Sequence, residues 1–337
     1  MKVVFIVASP RDSMCGVADY TTRLAAAFAG TGVTAVVEYP ADFSLSTLMD
    51  IRRRHGRNAA FHLQYPSLGM GKSFGPALIP LLFSYSFVTL HEFRLFSLAR
   101  KLIFLVYALL SKAVVFSSSE ERDLFARWFP FSKSRLVVMP IGNNIPRHTV
   151  QLERRAARRI VYFGQISRDK GIEVFIETVR RLKTAGRDIE AVMIGALVDG
   201  HSEIVEMVRA AERDLGVRLA LSLPSNNVSR ELAAADMALL PFPGGVTDKR
   251  GSALACLDHG VTLLTTHSET TPDWLKQVSY PIEDAESATL IVARLIDGAL
   301  PPDPAPEIRA TELKVREWPE IARRLIALYK RSIAERP

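Results

Sequence analysis

Short apolar runs alternate with helical patterns along the first half of the chain. Val3–Ala8 and Val33–Glu38 are compact runs rich in β-branched residues, which is typical of buried strands. Apolar residues recur every three or four positions in Ala18–Gly30 and in Leu45–His55, which predicts helices. Strands that alternate with helices indicate a parallel sheet. Further strands are predicted at Ala60–Gln64, Phe87–His91 and Ala113–Ser117.

A second α/β series begins at Ile160. It follows Arg147–Arg159, a polar and basic segment without apolar periodicity, which predicts a linker. After the proline-rich stretch Gly298–Pro306, a last helix is predicted at Pro319–Ile333. The predicted strands of this half are Ile160–Phe163, Ala191–Ile194, Leu219–Leu221, Ala238–Pro241 and Val261–Thr265, and its helices are Gly171–Ala185, Ser202–Leu215, Ser229–Ala235 and Ser252–Gly260.

Two series of similar size predict two domains. The chain has 337 residues, about twice the length of a common domain. We therefore expect an α/β fold of two Rossmann-like domains that face each other across a cleft, where ligands of such proteins commonly bind. The predicted domains are residues 1–150 and 151–315, and residues 316–337 form a separate C-terminal segment.

Composition narrows the class of protein. Apolar residues make up 48% of the chain and charged residues 23%, as in an ordinary globular enzyme. The two cysteines, Cys15 and Cys256, lie far apart and lack metal-ligand spacing, which excludes a disulfide scaffold and favours a cytoplasmic protein. The N-terminal apolar run is too short for a signal peptide. The longest apolar stretches, Ala77–Leu90 and Leu102–Phe116, fall short of a membrane span.

Positive charge is concentrated in the first half. Residues 1–150 carry 17 Lys and Arg against 9 Asp and Glu, a balance of +8, and residues 151–337 carry 26 against 27, a balance of −1. An anionic partner would explain this charge, and the candidates are a phospholipid surface, a lipid diphosphate and nucleic acid. Solvated surface charge is the alternative. Nucleic acid is disfavoured because the cluster Arg52–Arg54 lacks interleaved aromatic residues.

Polar residues close the predicted strands of the first half. Gln64, His91 and Ser117–Ser119 each follow a strand, and parallel sheets bind ligands outside the carboxyl ends of their strands. The first strand leads into the polar turn Ser9–Tyr20, where Gly16 precedes a helix and would let an anion approach free backbone N–H groups. An ordinary strand-to-helix turn would have the same pattern.

Two turns of the second half combine glycine with cations. Gly164–Gly171 carries Lys170 directly before a helix, where an ammonium can reach a bound phosphate, and Arg168 could act in the same way. In Pro241–Ser252, the turn Lys249–Ser252 brings two cations, a glycine and a serine to a helix start, which suits an anion. Solvated loop charge is the alternative for each turn. Neither half contains Gly-x-Gly-x-x-Gly or a Walker loop, which disfavours a nicotinamide enzyme and a P-loop NTPase.

A series of loose motifs runs along nearly the whole chain. Its segments are Cys15–Thr21, Leu63–Tyr65, Leu90–Phe93, Pro140–Asn143, Gly164–Gly171, Ala235–Pro241, Gly260–Thr265 and Trp318–Tyr329. In order and spacing the series resembles the retaining GT-B glycosyltransferases of a large, family 4-like group that contains many bacterial polysaccharide and glycolipid enzymes. The last segment resembles the helix that crosses back onto the first domain in that family.

The resemblance implies a donor substrate and roles for particular residues. The donor would be a nucleotide-diphosphate sugar of the UDP or GDP type, transferred with retention of configuration. By matching position, Gly16 faces the donor phosphates, Lys170 clamps the diphosphate and His91 lies beside the transferred sugar. No Asp-x-Asp occurs in the chain, so neither a metal nor a further cofactor is expected. The predicted site residues are His91, Lys170 and Arg250 for catalysis, Gly16, Gln165, Lys170, Thr247, Asp248, Lys249, Arg250, Gly251 and Ser252 for the donor, and Asp19, Tyr20, Gln64, Tyr65 and Glu92 for the acceptor.

The chain departs from the family pattern at three positions. The family commonly has two glutamates eight positions apart before the helix that ends at Gly260, and the matching residues here are Thr247 and Ala255. The family's arginine in the first donor turn is replaced by Gln165. These losses put recognition of the sugar in doubt, although the phosphate motifs are retained.

Residues near the same loop could compensate for these losses. Arg250 could supply the missing cation, and Asp248 or Asp258 could take over recognition of hydroxyl groups. A register error of one residue would place Asp248 on the first glutamate position.

The predicted function is transfer of a sugar to a glycan or lipid-linked acceptor in cell-surface polysaccharide or glycolipid synthesis. Peripheral contact of the first domain with an anionic membrane, at its inner face, would explain the basic charge and the apolar Phe93–Leu110 region. Two alternatives share the fold. A sugar-nucleotide 2-epimerase would consume its substrate without an acceptor, and a catalytically silent scaffold would bind nucleotide without turnover.

Overall fold

The chain divides into two compact units. The computed structural model describes residues 1–8, 15–71, 73–147, 158–198 and 202–334. The first unit comprises Met1–Asn144 and Val315–Pro337, and the second comprises Ile145–Lys314. Residues 148–157, most of the predicted linker, lie outside the described residues, as do residues 9–14 of the first predicted turn.

Six parallel strands form the sheet of the first unit. They are β1 Lys2–Ile6, β2 Thr34–Glu38, β3 Ala60–Tyr65, β4 Ser86–Leu90, β5 Ala113–Phe116 and β6 Leu136–Val138. Their order across the sheet is β2-β1-β3-β4-β5-β6. The four central strands, β1, β3, β4 and β5, are buried because helices cover both faces of the sheet, as parallel sheets require. These helices include α1 Gly16–Ala26, α2 Leu45–His55, α3 Ile79–Leu82, α4 Leu98–Leu110 and α5 Ser119–Trp128.

The second unit repeats this architecture. Its strands are β7 Arg158–Phe163, β8 Ile189–Gly195, β9 Arg218–Leu221, β10 Met237–Leu240, β11 Thr262–Thr265 and β12 Ser279–Pro281. They are parallel, in the order β12-β11-β10-β7-β8-β9. Its helices are α6 Ile172–Thr184, α7 Ser202–Leu215, α8 Ser225–Ala233, α9 Gly251–Asp258, α10 Asp273–Val278, α11 Ala285–Ile296 and α12 Pro306–Lys314.

The last helix, α13 Trp318–Ala334, returns to the first unit, as the sequence resemblance predicted. Ile321 and Leu325 are buried in the core between this helix and the sheet. Tyr329 packs against Phe87 with ring centroids 4.8 Å apart. Because the helix covers β1 and β4 with apolar side chains, it is a structural part of the first unit.

His62 is a polar centre within this core. One ring nitrogen is hydrogen-bonded to the Tyr329 hydroxyl, and Nε2 is 2.8 Å from Thr89 Oγ1. Burial lowers the pKa of His62 to about 3, so the ring is neutral near physiological pH. His62 therefore joins β3, β4 and α13 through satisfied hydrogen bonds.

The predicted strands and helices are found with their ends shifted by a few residues. Among those that the sequence pattern missed, β6 and β12 have three residues each and lie at sheet edges, too short for a visible alternation. The apolar stretch Leu102–Phe116 divides into the end of α4 and β5. Its apolar character hid the break between a helix and a strand.

Candidate functional site

The sheet of the second unit reverses its strand order at β7. The chain places β8 and β9 on one side of β7 and then returns to place β10 on the other side. Loops that leave two such strands diverge, and open α/β sheets bind ligands in the crevice between them. The β7–α6 loop, residues 164–171, and the β10–α9 loop, residues 241–250, therefore border the candidate site of this unit.

The β7–α6 loop is fixed by backbone contacts. Ile166 donates its N–H to the oxygen of Ala196 at 2.9 Å and accepts from the N–H of Val198 at 3.2 Å. Gly171 has a φ of +70°, and a Cβ there would clash with the carbonyl oxygen of Pro241. Glycine therefore permits the close approach of the two loops.

Lys170 stands directly before Gly171, the N-cap of α6. It is half-buried, and no carboxylate of the described residues lies within ion-pair distance of its ammonium. Arg168, by contrast, is exposed and donates to Glu203 at 2.7 Å, as a solvated loop charge would. Lys170 is thus the cation presented at the start of α6, where the backbone N–H groups and the helix dipole also favour an anion.

The base of the β10–α9 loop is also rigid. Gly245 has a φ of +82°, and a Cβ there would clash with Ser268. Val246 donates to the oxygen of Thr266 at 2.9 Å and accepts from Thr271 Oγ1 at 2.9 Å. The turn that follows is therefore presented from a fixed position.

Arg250 is the N-cap residue of α9 and is half-buried. Its guanidinium carbon lies 4.8 Å from the centroid of the Phe242 ring. Burial lowers the pKa of Arg250 below its usual value while Tyr162 opposes that shift, and a guanidinium stays charged near neutral pH. The hydroxyl of Tyr162 donates to the backbone oxygen of Gln165 at 2.9 Å. Within the described residues no carboxylate pairs with Arg250, so its charge lies against the Phe242 ring and suits an anionic ligand.

The start of α9 adds backbone donors to these cations. Gly251 donates to the oxygen of Lys249 at 3.1 Å, and a Cβ on Gly251 would meet no described atom within 4 Å. The N–H of Ser252 belongs to the first helical turn, which lacks intrahelical acceptors. Lys249 and Thr247 are half-buried in the same turn, and the oxygen of Thr247 accepts from Arg250. The structure thus brings the predicted donor residues 247–252 into one turn.

The positions of the missing glutamates are occupied differently. Ala255 is fully buried in the core. Asp248 accepts a hydrogen bond from Trp274 Nε1 at 2.9 Å and stays a candidate for hydroxyl recognition. Asp258 ends α9, about 10 Å along the axis from its first residue, and pairs with Arg147 at 2.6 Å. The hypothesis that Asp258 recognises a sugar hydroxyl at this site is therefore not supported.

The first unit reverses its strand order at β1, between β2 and β3. The loops after β1 and β3 meet there, because Ala8 donates to Ser67 Oγ at 3.0 Å. Gly16 begins α1, and a Cβ there would meet no described atom within 4 Å. Asp19, on the same helix, pairs with Arg23 at 3.4 Å. This edge is the candidate site of the first unit.

Tyr20, Gln64 and His91 lie together at this edge. His91 Nε2 donates to Gln64 Oε1 at 3.0 Å, and the Tyr20 and His91 rings meet edge to face with centroids 5.0 Å apart. Trp318 of α13 also packs against Tyr20, with ring centroids 5.2 Å apart. Gln64 is fully buried, and its Nε2 has no partner among the described residues, which provides an amide donor at the carboxyl end of β3.

Two other predicted acceptor residues are placed differently. Tyr65 follows Gln64 on β3 and therefore faces the opposite side of the sheet. Its ring is buried against Phe96 and Phe104, with centroids 5.6 and 5.2 Å away. Tyr65 thus belongs to the core, whereas Glu92 is half-buried beside His91.

Glu121 fixes the loop that carries His91 and Glu92. Its Oε2 accepts the N–H of Phe93 at 2.9 Å and that of Arg94 at 3.1 Å. The Ser-x-x-Glu pattern that ends at Glu121 is typical of a capping box, in which the carboxylate would bind its own helix. The role of Glu121 could not be predicted from the local sequence pattern, because its carboxylate binds a loop 28 residues earlier.

The described residues contain neither a metal-binding cluster nor a membrane-spanning helix. No group of three or more His, Cys, Asp and Glu side chains in these residues could hold a metal ion. In the same part of the chain, no helix is long and apolar enough to cross a membrane.

Comparison with known proteins gives structural matches. The chain matches no protein-family model and no curated protein sequence. A glycosyltransferase from Rickettsia africae ESF-5 superposes with a TM-score of 0.72 at 12% identity, covering 99% of each chain. HepE from Anabaena in complex with UDP gives 0.71 at 11%, covering 98% of this chain and 100% of that one. Sucrose-phosphate synthase from Thermosynechococcus elongatus gives 0.67 at 14%, covering 100% of each. This chain therefore has the GT-B fold that the sequence predicted.

Proposed function

We propose that this chain is a glycosyltransferase that moves a hexose from a nucleotide-diphosphate sugar to a glycan or lipid-linked acceptor. The observation that carries the proposal is the pair of half-buried cations, Lys170 and Arg250, where the second sheet reverses its strand order. Each stands at a helix start, and neither has a carboxylate partner among the described residues. A diphosphate can use two such cations together with helix N-termini.

These groups would assist departure of the nucleoside diphosphate. When the bond between the sugar C1 and the diphosphate oxygen breaks, negative charge grows on that oxygen. Cations and N–H groups already in place stabilise this charge without reorganisation. We infer a metal-independent reaction that retains configuration, in which Arg250 supplies the charge that neutral Gln165 lacks. Asp248, held by Trp274, is the candidate for a sugar hydroxyl.

The first unit would bind the acceptor. The acceptor would meet the half-buried His91, whose ring can bind a sugar hydroxyl and is held from behind by the buried Tyr20 and Gln64. UDP or GDP would be the nucleotide, and structures of HepE contain UDP and UDP-glucose. A role in polysaccharide or glycolipid synthesis, at the inner face of a membrane, completes the proposal.

A nucleotide panel followed by a transfer assay tests the proposal. We expect either UDP or GDP to raise the unfolding temperature of the second unit more than ADP and dTDP do. At a nucleotide concentration of 100 times its dissociation constant, binding should raise the free energy of unfolding by about 2.7 kcal/mol. The matching nucleotide sugar should then release its diphosphate only when an acceptor is added. Failure of all four nucleotides would contradict the proposal. Acceptor-independent inversion at C2 would identify an epimerase, and binding without turnover a silent scaffold.

Replacing Glu121 with glutamine should lower turnover about tenfold, equivalent to about 1.4 kcal/mol of activation free energy. The amide oxygen of glutamine can still accept the Phe93 and Arg94 N–H groups, but it lacks the negative charge that strengthens both bonds in the native protein. Nucleoside diphosphate affinity should stay unchanged because those ligands bind the second unit. Steady-state kinetics and calorimetry separate the two effects.

Glu120→Gln is the matched control for this variant. Glu120 is the adjacent residue and pairs with Arg94 at the surface, so its replacement should leave turnover within about twofold. An equal loss in both variants, or weaker nucleotide binding in Glu121→Gln, would show that Glu121 does not act by positioning the His91 loop.

A further inference from the structure

The outer face of α4 exposes a stripe of leucines. Leu98, Leu105 and Leu109 are 68%, 40% and 50% exposed. Their spacings of seven and four residues place them on one side of the helix, whereas Phe104 and Tyr107 are buried on the opposite side. An ordinary surface helix carries polar residues where these leucines stand. We call Leu98, Leu105 and Leu109 the leucine stripe.

Other exposed apolar residues lie near both ends of α4. Leu95 precedes the helix and is exposed. Phe131 is exposed in the short 3-10 turn Pro130–Arg135, which is tied to the end of α4 because Arg135 donates to the oxygen of Leu109 at 2.7 Å. Trp128 is partly exposed beside Lys101, whose ammonium lies 5.5 Å from its ring centroid. Exposed apolar side chains are therefore found near both ends of the stripe as well as along it.

The segment that carries this surface is rich in cations. Residues 94–135 contain eight Lys and Arg against three Asp and Glu. Glu121 is buried, and its carboxylate accepts backbone N–H groups. Glu120 forms an ion pair with Arg94, and Asp123 forms one with Arg122. The acidic charge is thus largely neutralised within the segment, and the remaining exposed charge is positive.

We propose that the leucine stripe inserts into the interface of a bilayer that contains anionic lipids. Apolar side chains on one face of a helix with flanking lysine and arginine are the features by which helices lie in such interfaces. A second copy of this chain fits less well, because a two-fold dimer through this face would bring two positive surfaces together. The inference rests on the proposed function and deepens it. The acceptor would lie in the membrane, and α4 would bring the enzyme to that membrane.

Vesicle co-sedimentation of the full chain tests the inference. One set of vesicles contains phosphatidylcholine alone. The other contains phosphatidylcholine with about 30% of the anionic lipid phosphatidylglycerol, which gives the vesicle a negative surface. We expect binding to the anionic vesicles that weakens with added salt, and at least tenfold weaker partitioning for the triple variant Leu98→Gln, Leu105→Gln, Leu109→Gln. The matched control is Leu290→Gln, which changes a leucine that is 61% exposed on α11 of the second unit and should bind as the unaltered chain does.

Distinct results would overturn the inference. The first is failure of the unaltered chain to bind anionic vesicles, and the second is equal binding by the triple variant. The third is an unaltered chain that binds no vesicles but forms a dimer in sedimentation velocity, with the dimer lost in the triple variant. Nucleoside diphosphate affinity, measured on the same variants, should not change. Vesicle binding needs no sugar transfer, so failure of the proposed function and failure of the docking surface give separate readouts.

Discussion

Replacing Lys170 with alanine should weaken nucleoside diphosphate binding by about 10- to 150-fold. This range corresponds to about 1.5–3 kcal/mol, the usual contribution of a hydrogen bond to a charged group. Lys170 is half-buried at the start of α6, and no described carboxylate competes for its ammonium. Its loss would remove a charge that neither water nor the remaining backbone donors replace. Isothermal titration of the nucleotide selected by the panel measures the change directly.

Arg168→Ala is the matched control for Lys170→Ala. Arg168 carries the same charge in the same loop, but it donates to Glu203 at the exposed surface. Its replacement should therefore change the dissociation constant by less than about twofold. If Arg168→Ala weakened binding as much as Lys170→Ala, the loss would reflect general electrostatic attraction, and a diphosphate at the start of α6 would be ruled out.

A double-mutant cycle connects Lys170 with Arg250. Each single replacement should weaken binding, and the combined effect should differ from their sum by about 0.5–3 kcal/mol if both cations contact one diphosphate. Additive losses would place the two cations on separate groups of the ligand. Unchanged donor affinity and turnover in Arg250→Ala would remove the idea that Arg250 compensates for the cation missing at Gln165.

The position of the cations could be predicted from the sequence, whereas their surroundings could not. Lys170 and Arg250 each follow a strand and precede a helix, a local pattern that the chain displays directly. The ring of Phe242 beneath Arg250 and the indole of Trp274 at Asp248 depend on how loops fold onto each other. Loop conformation and side-chain direction decide such contacts, and a hydrophobic pattern carries little information on either.

A similar division holds for the fold of the first unit. Its central strands have clear apolar runs because they are buried on both faces. Helix α4 was missed because the leucine stripe makes its outer face as apolar as its inner face, which removes the periodicity that identifies a surface helix. The same feature that hid the helix from the sequence analysis is the one that suggests its partner.

Replacing Arg159 with alanine should lower the free energy of unfolding of the second unit by about 3 kcal/mol, the lower end of the cost of breaking a buried ion pair. Arg159 is the second residue of β7, and its side chain is only 4% exposed. It binds Glu190 through two nitrogens, at 2.7 and 2.9 Å, and Glu231 through the third at 3.1 Å. Its removal would leave two neighbouring carboxylates without their shared cation, although both are partly exposed and Arg218 still contacts them.

Urea unfolding followed by Trp274 fluorescence measures this effect within the second unit. The other two tryptophans, Trp128 and Trp318, belong to the first unit and are replaced by phenylalanine in the reference protein. Arg158→Ala is the control, because Arg158 is the preceding residue and forms an exposed pair with Asp236, whose loss should cost less than about 1 kcal/mol.

Further variants test whether unpaired carboxylate charge causes the loss of stability in Arg159→Ala. Adding Glu190→Gln and Glu231→Gln to Arg159→Ala should restore part of the lost stability, because neutral amides do not repel one another. Nucleotide affinity measured well below the unfolding transition should stay unchanged, since Arg159 lies at the amino end of β7 and the candidate site lies at its carboxyl end. Equal destabilisation by Arg158→Ala, or no recovery in the triple variant, would mean that lost packing of the arginine stem, and not unpaired charge, sets the cost.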